Sequence, residues 1–285
     1  MSIGAMELGG SGVTAQAAQQ DAVTQDALSF ADIQHSYRAS GGGSTLALGH
    51  INLTVRAGEF LSVVGPSGCG KSTLLRIAAG LMQPSSGAAR AFGDAIRSPR
   101  RDVSVVFQDA VMLPWFNILQ NVMLPVRLAG GDMKLAKERA MGLLKQVGLG
   151  AFALQSPKNL SGGMRQRAGI VRALITQPKI LLMDEPFGAL DALTREQMNF
   201  DLARIAEHTS CSVLLITHGI SEAVLLGDRV AVMSARPGRI DEVVDIDLPR
   251  PRGRDTMLSP RFAELCDQVR QHFKHDNEEV VFGHE

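Results

Sequence analysis

The sequence predicts an α/β fold: a parallel core sheet covered on both faces by helices, an antiparallel β subdomain beside it, and an inserted helical lobe. Three observations carry this prediction. Apolar runs such as Glu59-Phe60-Leu61-Ser62-Val63-Val64 and Ser212-Val213-Leu214-Leu215-Ile216-Thr217 alternate with helical stretches, the pattern of strands buried on both faces. The first of these runs leads into Gly65-Pro66-Ser67-Gly68-Cys69-Gly70-Lys71-Ser72-Thr73, which fits the phosphate-loop pattern G-x-x-x-x-G-K-[ST] and is followed by a helix-forming segment closed by Gly80. Between Gln108 and Leu160, the residues Ala136, Ala140, Leu143, Leu144 and Val147 recur with a helical period.

The elements follow in chain order. Residues 1–27 are rich in Ala, Gln, Gly, Ser and Thr without apolar periodicity, so a mobile tail is expected there. Residues 28–37 alternate loosely as a strand, Gly41-Gly42-Gly43-Ser44 turns the chain, and 46–55 returns it as the antiparallel subdomain. Further core strands are expected at 101–108, with Val103, Val105, Val106 and Phe107, at 180–185 and at 229–233. The helical lobe occupies 109–165, inside a main domain of 28–245. In the remainder, 246–285, Leu248-Pro249-Arg250-Pro251-Arg252-Gly253-Arg254 reads as a linker, and Phe262, Leu265, Cys266, Val269 and Phe273 mark one face of a final helix packed on the body.

Composition sets bounds on function. The 285 residues suffice for one or two domains, and 29 basic against 29 acidic residues give no basic field for nucleic acid. Three scattered cysteines form neither a disulfide framework nor a zinc spacing, and no apolar run approaches a membrane span, so a soluble, cytoplasmic chain is expected.

The chemistry gathers at strand ends. Glycines in 65–73 let successive N–H groups approach the β- and γ-phosphates of a nucleotide, the helix starting near Lys71 aims its positive end at them, and Lys71 adds a charge. The Ser72 hydroxyl is a ligand for Mg²⁺. Asp184 and Glu185 end an apolar run, where Asp184 can hold the metal while strand alternation turns Glu185 toward the attacking water as base. His218 follows another strand and can donate to the γ-phosphate; Gln108 likewise follows a strand and can reach the metal or the water. Ser161-Gly162-Gly163 opens a helix as a second anion site, fit for a phosphate held by another subunit, although Ser before a helix is also a common cap. Cys69, in a loop entering a helix, is expected either as a thiol of lowered pKa or as an inert filler.

These motifs, with Leu160-Ser161-Gly162-Gly163-Met164-Arg165-Gln166, Ala189-Leu190-Asp191 and His218 in the same order and spacing, resemble those of ATP-binding cassette (ABC) ATPases over about residues 28–240. The resemblance implies an ABC-type P-loop ATPase with a mixed core sheet, an antiparallel β subdomain and an inserted α-helical lobe. It implies ATP and Mg²⁺, and a head-to-tail dimer with ATP between 65–73 of one copy and Ser161-Gly162-Gly163 of the other. By the same resemblance Tyr37 stacks on adenine and Asp191 crosses toward the partner's site.

Finer motifs, Met112-Leu113-Pro114-Trp115, Phe187-Gly188-Ala189-Leu190-Asp191-Ala192-Leu193-Thr194-Arg195 and Met233-Ser234-Ala235-Arg236-Pro237-Gly238-Arg239-Ile240, are similar to the nitrate, sulfonate and taurine importer group. That similarity implies a peripheral ATPase on the cytoplasmic face of the inner membrane, serving permease subunits and, indirectly, a solute-binding protein. Another small organic nutrient is the alternative cargo. Residues 111–116 are the candidate permease contact, the other reading being that Trp115 and Phe116 are lobe core. Gly219 departs from the family's Asp after the switch histidine. A chromosome-maintenance or repair ABC ATPase would need long heptads between Gln108 and Ser161, and a translation-associated one a second cassette; neither feature is present in the sequence.

Overall fold

The computed structural model describes residues 26–38, 42–207, 211–234 and 236–278; residues 1–25 of the expected tail over 1–27, and Gly41 of the expected glycine turn, lie outside them. In chain order the first elements are β1 (Asp26–Arg38), β2 (Ser44–Arg56), β3 (Phe60–Val64), α1 (Lys71–Ala78), β4 (Ser86–Ala91), β5 (Asp94–Ala95) and β6 (Val103–Val106). There follow α2 (Ile118–Leu128), α3 (Met133–Gln146), α4 (Gly162–Leu174), β7 (Ile180–Asp184), α5 (Ala192–Glu207), β8 (Ser212–Thr217) and α6 (Ile220–Leu226). The chain then forms β9 (Arg229–Met233), β10 (Ile240–Asp245), α7 (Arg254–Met257) and α8 (Pro260–Glu278). Strand β1 begins at Asp26, with Ala27 fully buried, slightly before the expected boundary at 28.

The core sheet has the order β10-β9-β3-β8-β7-β6. Its five strands from β9 to β6 are parallel, with Val64 opposite both Thr217 and Val232, Asp184 opposite Ile216, and Val106 opposite Met183. Periodicity alone predicted a parallel sheet. The sheet is mixed instead, as the family resemblance implied, because β10 returns antiparallel to β9. Only residues 234–239 join the two strands, too few for a parallel crossover of a dozen or more.

Side chains alternate across this sheet with period two. On one face Leu61, Val63, Leu182, Leu214 and Ile216 pack with Leu74, Leu75 and Ile77 of α1 and with Leu28, Ile33, Ile51 and Val55 of the antiparallel sheet β2-β1-β4-β5. On the other, Phe60, Leu181, Met183, Val213 and Leu215 meet Ile170 and Leu174 of α4 and Met198 and Leu202 of α5. Helix α1 is thereby clamped between two sheets, and the loop before it is held with it. Burying one such leucine is worth about 2 kcal/mol.

The lobe is helical as expected. Ala140, Leu144 and Val147 of the periodic stripe pack with Ile118, Val122, Ala168 and Val171 from α2 and α4. The final helix also docks as expected: Phe262, Leu265, Cys266 and Val269 pack against Val224 and Leu225 of α6 and Val230 and Val232 of β9. Residues 248–254 are no free linker, however. Arg252 is 4% exposed and donates hydrogen bonds to the carbonyls of Val224, Leu225 and Gly227 at the end of α6 and of Ile246 and Leu248.

Candidate nucleotide site

Because the core strands are parallel and in register, their carboxyl ends share one edge, and the loops after β3, β6, β7, β8 and β9 all open there. The phosphate loop leaves the central strand β3 and turns into α1 at Gly70, whose φ of 104° demands glycine and whose Cβ would meet Leu48 at 2.5 Å. A cleft of about 520 Å³ lies beside it, lined by Tyr37, Thr45, Ser67, Gly70, Thr73 and Glu185 together with Gly68, Lys71, Ser72 and Arg236. Gly65, Pro66 and Cys69 form the loop's inner side: Lys71 Nζ donates to Gly65 O at 2.7 Å and Pro66 O at 3.0 Å. Tyr37 is 39% exposed at the rim, and its hydroxyl shares a 3.0 Å hydrogen bond with Thr73 Oγ1.

Two acid pairs organise the chemistry. Ser72 Oγ donates to Asp184 Oδ1 at 3.0 Å, and burial, with the neighbouring Glu185 charge, pushes the Asp184 carboxyl above its usual range while the Ser72 hydrogen bond opposes this. A half-buried carboxylate beside a hydroxyl suits a hard cation. The donor set is sparse and oxygen-based, and the described residues contain no cluster of three or more His, Cys, Asp or Glu that would enclose a metal. Mg²⁺, which takes one or two protein oxygens and completes its shell with phosphate and water, fits this arrangement.

Glu185 Oε2 lies 3.1 Å from His218 Nδ1. Asp184 and Glu185 thus find separate partners, but not through the pleat. The strand ends at Asp184, and Glu185 adopts φ 45°, a left-handed conformation costing on the order of 1 kcal/mol in a non-glycine residue. Its N–H donates to Ile216 O at 2.8 Å and its carbonyl accepts from Gly188 N–H at 3.0 Å, which hold it there. Gln108 is exposed on the Glu185 side: measured from the Cα face of Gly188, where a Cβ would stand, Gln108 Nε2 is 3.2 Å away and Glu185 Oε2 3.5 Å.

The Gly219 departure has a local answer. Gly219 N–H donates to Thr217 Oγ1 at 2.9 Å, and Thr217 Oγ1 donates to Glu222 Oε2 at 2.5 Å, so the residues on both sides of His218 are tied together. A Cβ on Gly219 would stand 3.3 Å from Glu222 Oε2, so an Asp there would crowd a second carboxylate against the first. Thr217 and Glu222 were not singled out in the sequence. An acid in the first turn of the helix after a strand-end His was the available signal.

The second anion loop is separate from this cleft. Ser161 caps α4, its Oγ accepting from Met164 N–H at 3.3 Å, and Gly163 packs against Thr194 at the start of α5, where a Cβ would be 2.8 Å from Cγ2. Gly162 stays exposed. Asp191 is exposed too and caps α5 by accepting from Thr194 N–H at 3.0 Å. Gln166, buried in α4, donates to Phe107 O at 3.3 Å and so links that helix to the Gln108 loop. In one chain Ser161-Gly162-Gly163 line no part of the phosphate cleft.

Two further expectations are decided here. Cys69 is 1% exposed, and burial raises its thiol pKa although Lys71 pulls the other way, so the activated thiol is corrected to the inert filler. Trp115 is 71% exposed, not lobe core, with Phe116 beneath it and Arg127 over the Phe116 ring. The buried Asn121 pins this loop through Leu113 N–H at 2.8 Å and the carbonyls of Leu113 and Phe116.

A family model described as ABC transporter matches residues 48–188. The taurine import ATP-binding protein TauB of Rhizobium johnstonii is 46% identical over 239 residues, 82% of this chain and 91% of that protein. The chain belongs to the ABC transporter ATP-binding family. As an ABC ATPase it binds and hydrolyses ATP. The nitrate import ATP-binding protein NrtC of Synechococcus elongatus is 42% identical over 233 residues, 80% of this ABC ATPase and 35% of that longer relative. A solved dimeric post-hydrolysis state of the ATP-binding cassette MJ0796, bound to ADP and Pi, matches with a TM-score of 0.68 at 31% identity, covering 78% of this chain and 100% of that one.

Proposed function

We propose that this ABC ATPase energises import of a small anionic solute of the nitrate, sulfonate or taurine class through a separate membrane permease. The observation that carries the reading is that Ser72, bonded to Asp184, and Glu185, paired with His218, both line one cleft beside the phosphate loop. The cargo class is supported by the import relatives rather than by the cleft, since the ATPase handles nucleotide and not solute.

In this reading Lys71 and the loop N–H groups hold the β- and γ-phosphates, Tyr37 stacks on adenine, and Ser72, Asp184 and Gln108 hold Mg²⁺. When bound, Mg²⁺ supplies neutralisation of phosphate charge. Glu185 accepts the proton of the attacking water, and His218, oriented by Glu185 and by the Thr217–Glu222 tie, donates to the γ-phosphate. Catalysis is then positioning and electrostatics. Ser161-Gly162-Gly163 and Asp191 complete the site of a second copy in a head-to-tail dimer, a reading favoured by the exposure of Ser161, Gly162 and Asp191 away from their own cleft and by the dimeric MJ0796 cassette. Residues 111–116, a rigid loop presenting Trp115 and Val111 to solvent, dock the permease at the cytoplasmic face of the membrane. Among the described residues no helix is long and apolar enough to cross a membrane.

The test is copurification with the adjacent permease and solute-binding protein, then ATPase assays with nitrate, taurine and an alkanesulfonate. Stimulation by one of these is expected; stimulation only by a non-anionic nutrient would overturn the cargo class. Glu185→Gln should bind ATP and stay dimeric while turnover falls by about two orders of magnitude or more, the usual scale of a general base. Hydrolysis at the parental rate would remove Glu185 from that role.

A further inference from the structure

Arg236 stands at the open side of the phosphate loop, in a place the roles above leave unused. Strand β9 lies beside β3 and parallel to it, so its carboxyl end delivers the following loop to the rim of the nucleotide cleft. Backbone bonds hold that loop, one within it and two to β2. Ser234 N–H donates to Arg239 O at 3.0 Å, Gly238 N–H donates to Ala47 O at 3.0 Å, and Gly49 N–H donates to Gly238 O at 2.9 Å. Gly238 presses so closely on the phosphate loop that a Cβ would sit 1.9 Å from Cys69 O.

The side chain is equally placed. Arg236 Nε donates to Gly68 O at 3.1 Å. One terminal nitrogen stands 2.7 Å from where a Gly68 side chain would begin, beside a backbone whose φ of 78° favours glycine. The two Nη groups have no hydrogen-bond partner among the described residues, and the side chain is exposed into the cleft it lines with Lys71, Ser72 and Tyr37. Arg236 and Lys71 are the cations in that wall. A guanidinium anchored through Nε leaves a planar pair of donors free, a geometry matched to phosphate oxygens.

We propose that Arg236 binds the phosphate chain of the nucleotide, adding a second cation to Lys71 from the outer side of the loop. The inference rests on the nucleotide reading of the cleft. A contact made with bound substrate as well as in the transition state strengthens binding more than turnover. A charge-assisted bond of this kind corresponds to about a tenfold to hundredfold effect on affinity.

The experiment measures equilibrium ATP affinity, KM, kcat and Tm for the full chain and for Arg236→Ala, Arg236→Lys and Lys71→Ala. Arg236→Ala should weaken ATP binding and raise KM about tenfold or more, with kcat changing less than KM, and Arg236→Lys should recover part of the loss. ATP affinity within twofold of the parent would overturn the proposal. So would a fall in kcat and Tm that lysine does not relieve, since Arg236 would then be a strut for the loop. Retained affinity in Lys71→Ala would remove the nucleotide reading itself, whereas loss there beside an unchanged Arg236→Ala would remove only this inference.

Discussion

Replacing Arg252 by methionine tests whether residues 248–254 tether the C-terminal helix loosely or hold the switch-histidine helix in place. The Arg252 side chain is 2% accessible. It donates to Gly227 O at 2.6 Å and Leu248 O at 3.0 Å, with longer contacts to Val224, Leu225 and Ile246 sharing the same donors. Three of those carbonyls close α6, which begins directly after His218 and Gly219, and a cation at a helix C-terminus is favoured by the dipole as well. Methionine keeps the aliphatic stem but no donor. Taking only the two short bonds, at roughly 1.5–2 kcal/mol net each for a charged donor, the loss is about 3–4 kcal/mol. A chain of this size moves by about 2–3 °C per kcal/mol, so Arg252→Met should lower Tm by roughly 6–12 °C.

Arg250→Met is the internal control. Arg250 is two residues away and 30% accessible, pairing with Asp228 Oδ1 at 2.7 Å and donating a single bond to this helix end, to Leu226 O at 3.1 Å. An ion pair of that exposure with one further carbonyl bond is worth about 1–2 kcal/mol, roughly half the loss expected at Arg252. Differential scanning fluorimetry on both variants, with ATPase rates taken well below either midpoint, separates the cases. Arg252→Met should also lose several-fold in kcat because the end of the His218 helix is released. A melt within 2 °C of the parent, or equal to that of Arg250→Met, would refute the reasoning and restore the linker.

Two other outcomes follow from burial. Burial pushes the Glu222 carboxyl above its ordinary value, the Thr217 hydrogen bond opposing, so the native state holds its proton more tightly than the unfolded chain. Stability present below the unfolded value is lost as pH rises through the folded one; Glu222→Gln carries no such loss, so its Tm relative to the parent should climb as pH rises above the ordinary glutamate value of 4.5, and a flat difference would mark an ordinary carboxyl. Cys69, Cys211 and Cys266 are all buried, and peptide mapping after maleimide treatment of nucleotide-free protein should find them labelled only on denaturation; early labelling of Cys69 would contradict its raised thiol pKa.

What the sequence made legible is what local chemistry dictates. The phosphate loop was readable because its glycines, lysine and hydroxyl residues must stand at fixed spacing to meet one ligand, and the buried parallel strands because they admit little but apolar residues. Strand β4, Ser-Gly-Ala-Ala-Arg-Ala, was missed for the opposite reason: its inward residues Ala89 and Ala91 are small side chains of poor strand propensity, packed in one cluster with α1. Strand β10 was missed because its sequence, Ile-Asp-Glu-Val-Val-Asp, buries mainly Val244 and shows no clean alternation.

Arg236 and Arg252 mark the limit of such reading. Both are arginines in stretches of Pro and Gly, and by composition both belong to solvated loops. Neither loop behaves so, because what decides their roles is non-local: Arg236 hangs from the carboxyl end of a strand that neighbours β3 only through pairing 160-odd residues away in sequence, and Arg252 meets carbonyls of α6 some 25 residues upstream. The carboxyl-edge rule could have recovered the first, since a basic residue following a core strand falls on the ligand side of any parallel sheet. No comparable rule recovers the second. A buried guanidinium is specified by the carbonyls around it, and those are fixed only when α6, β10 and the segment after them have already come together.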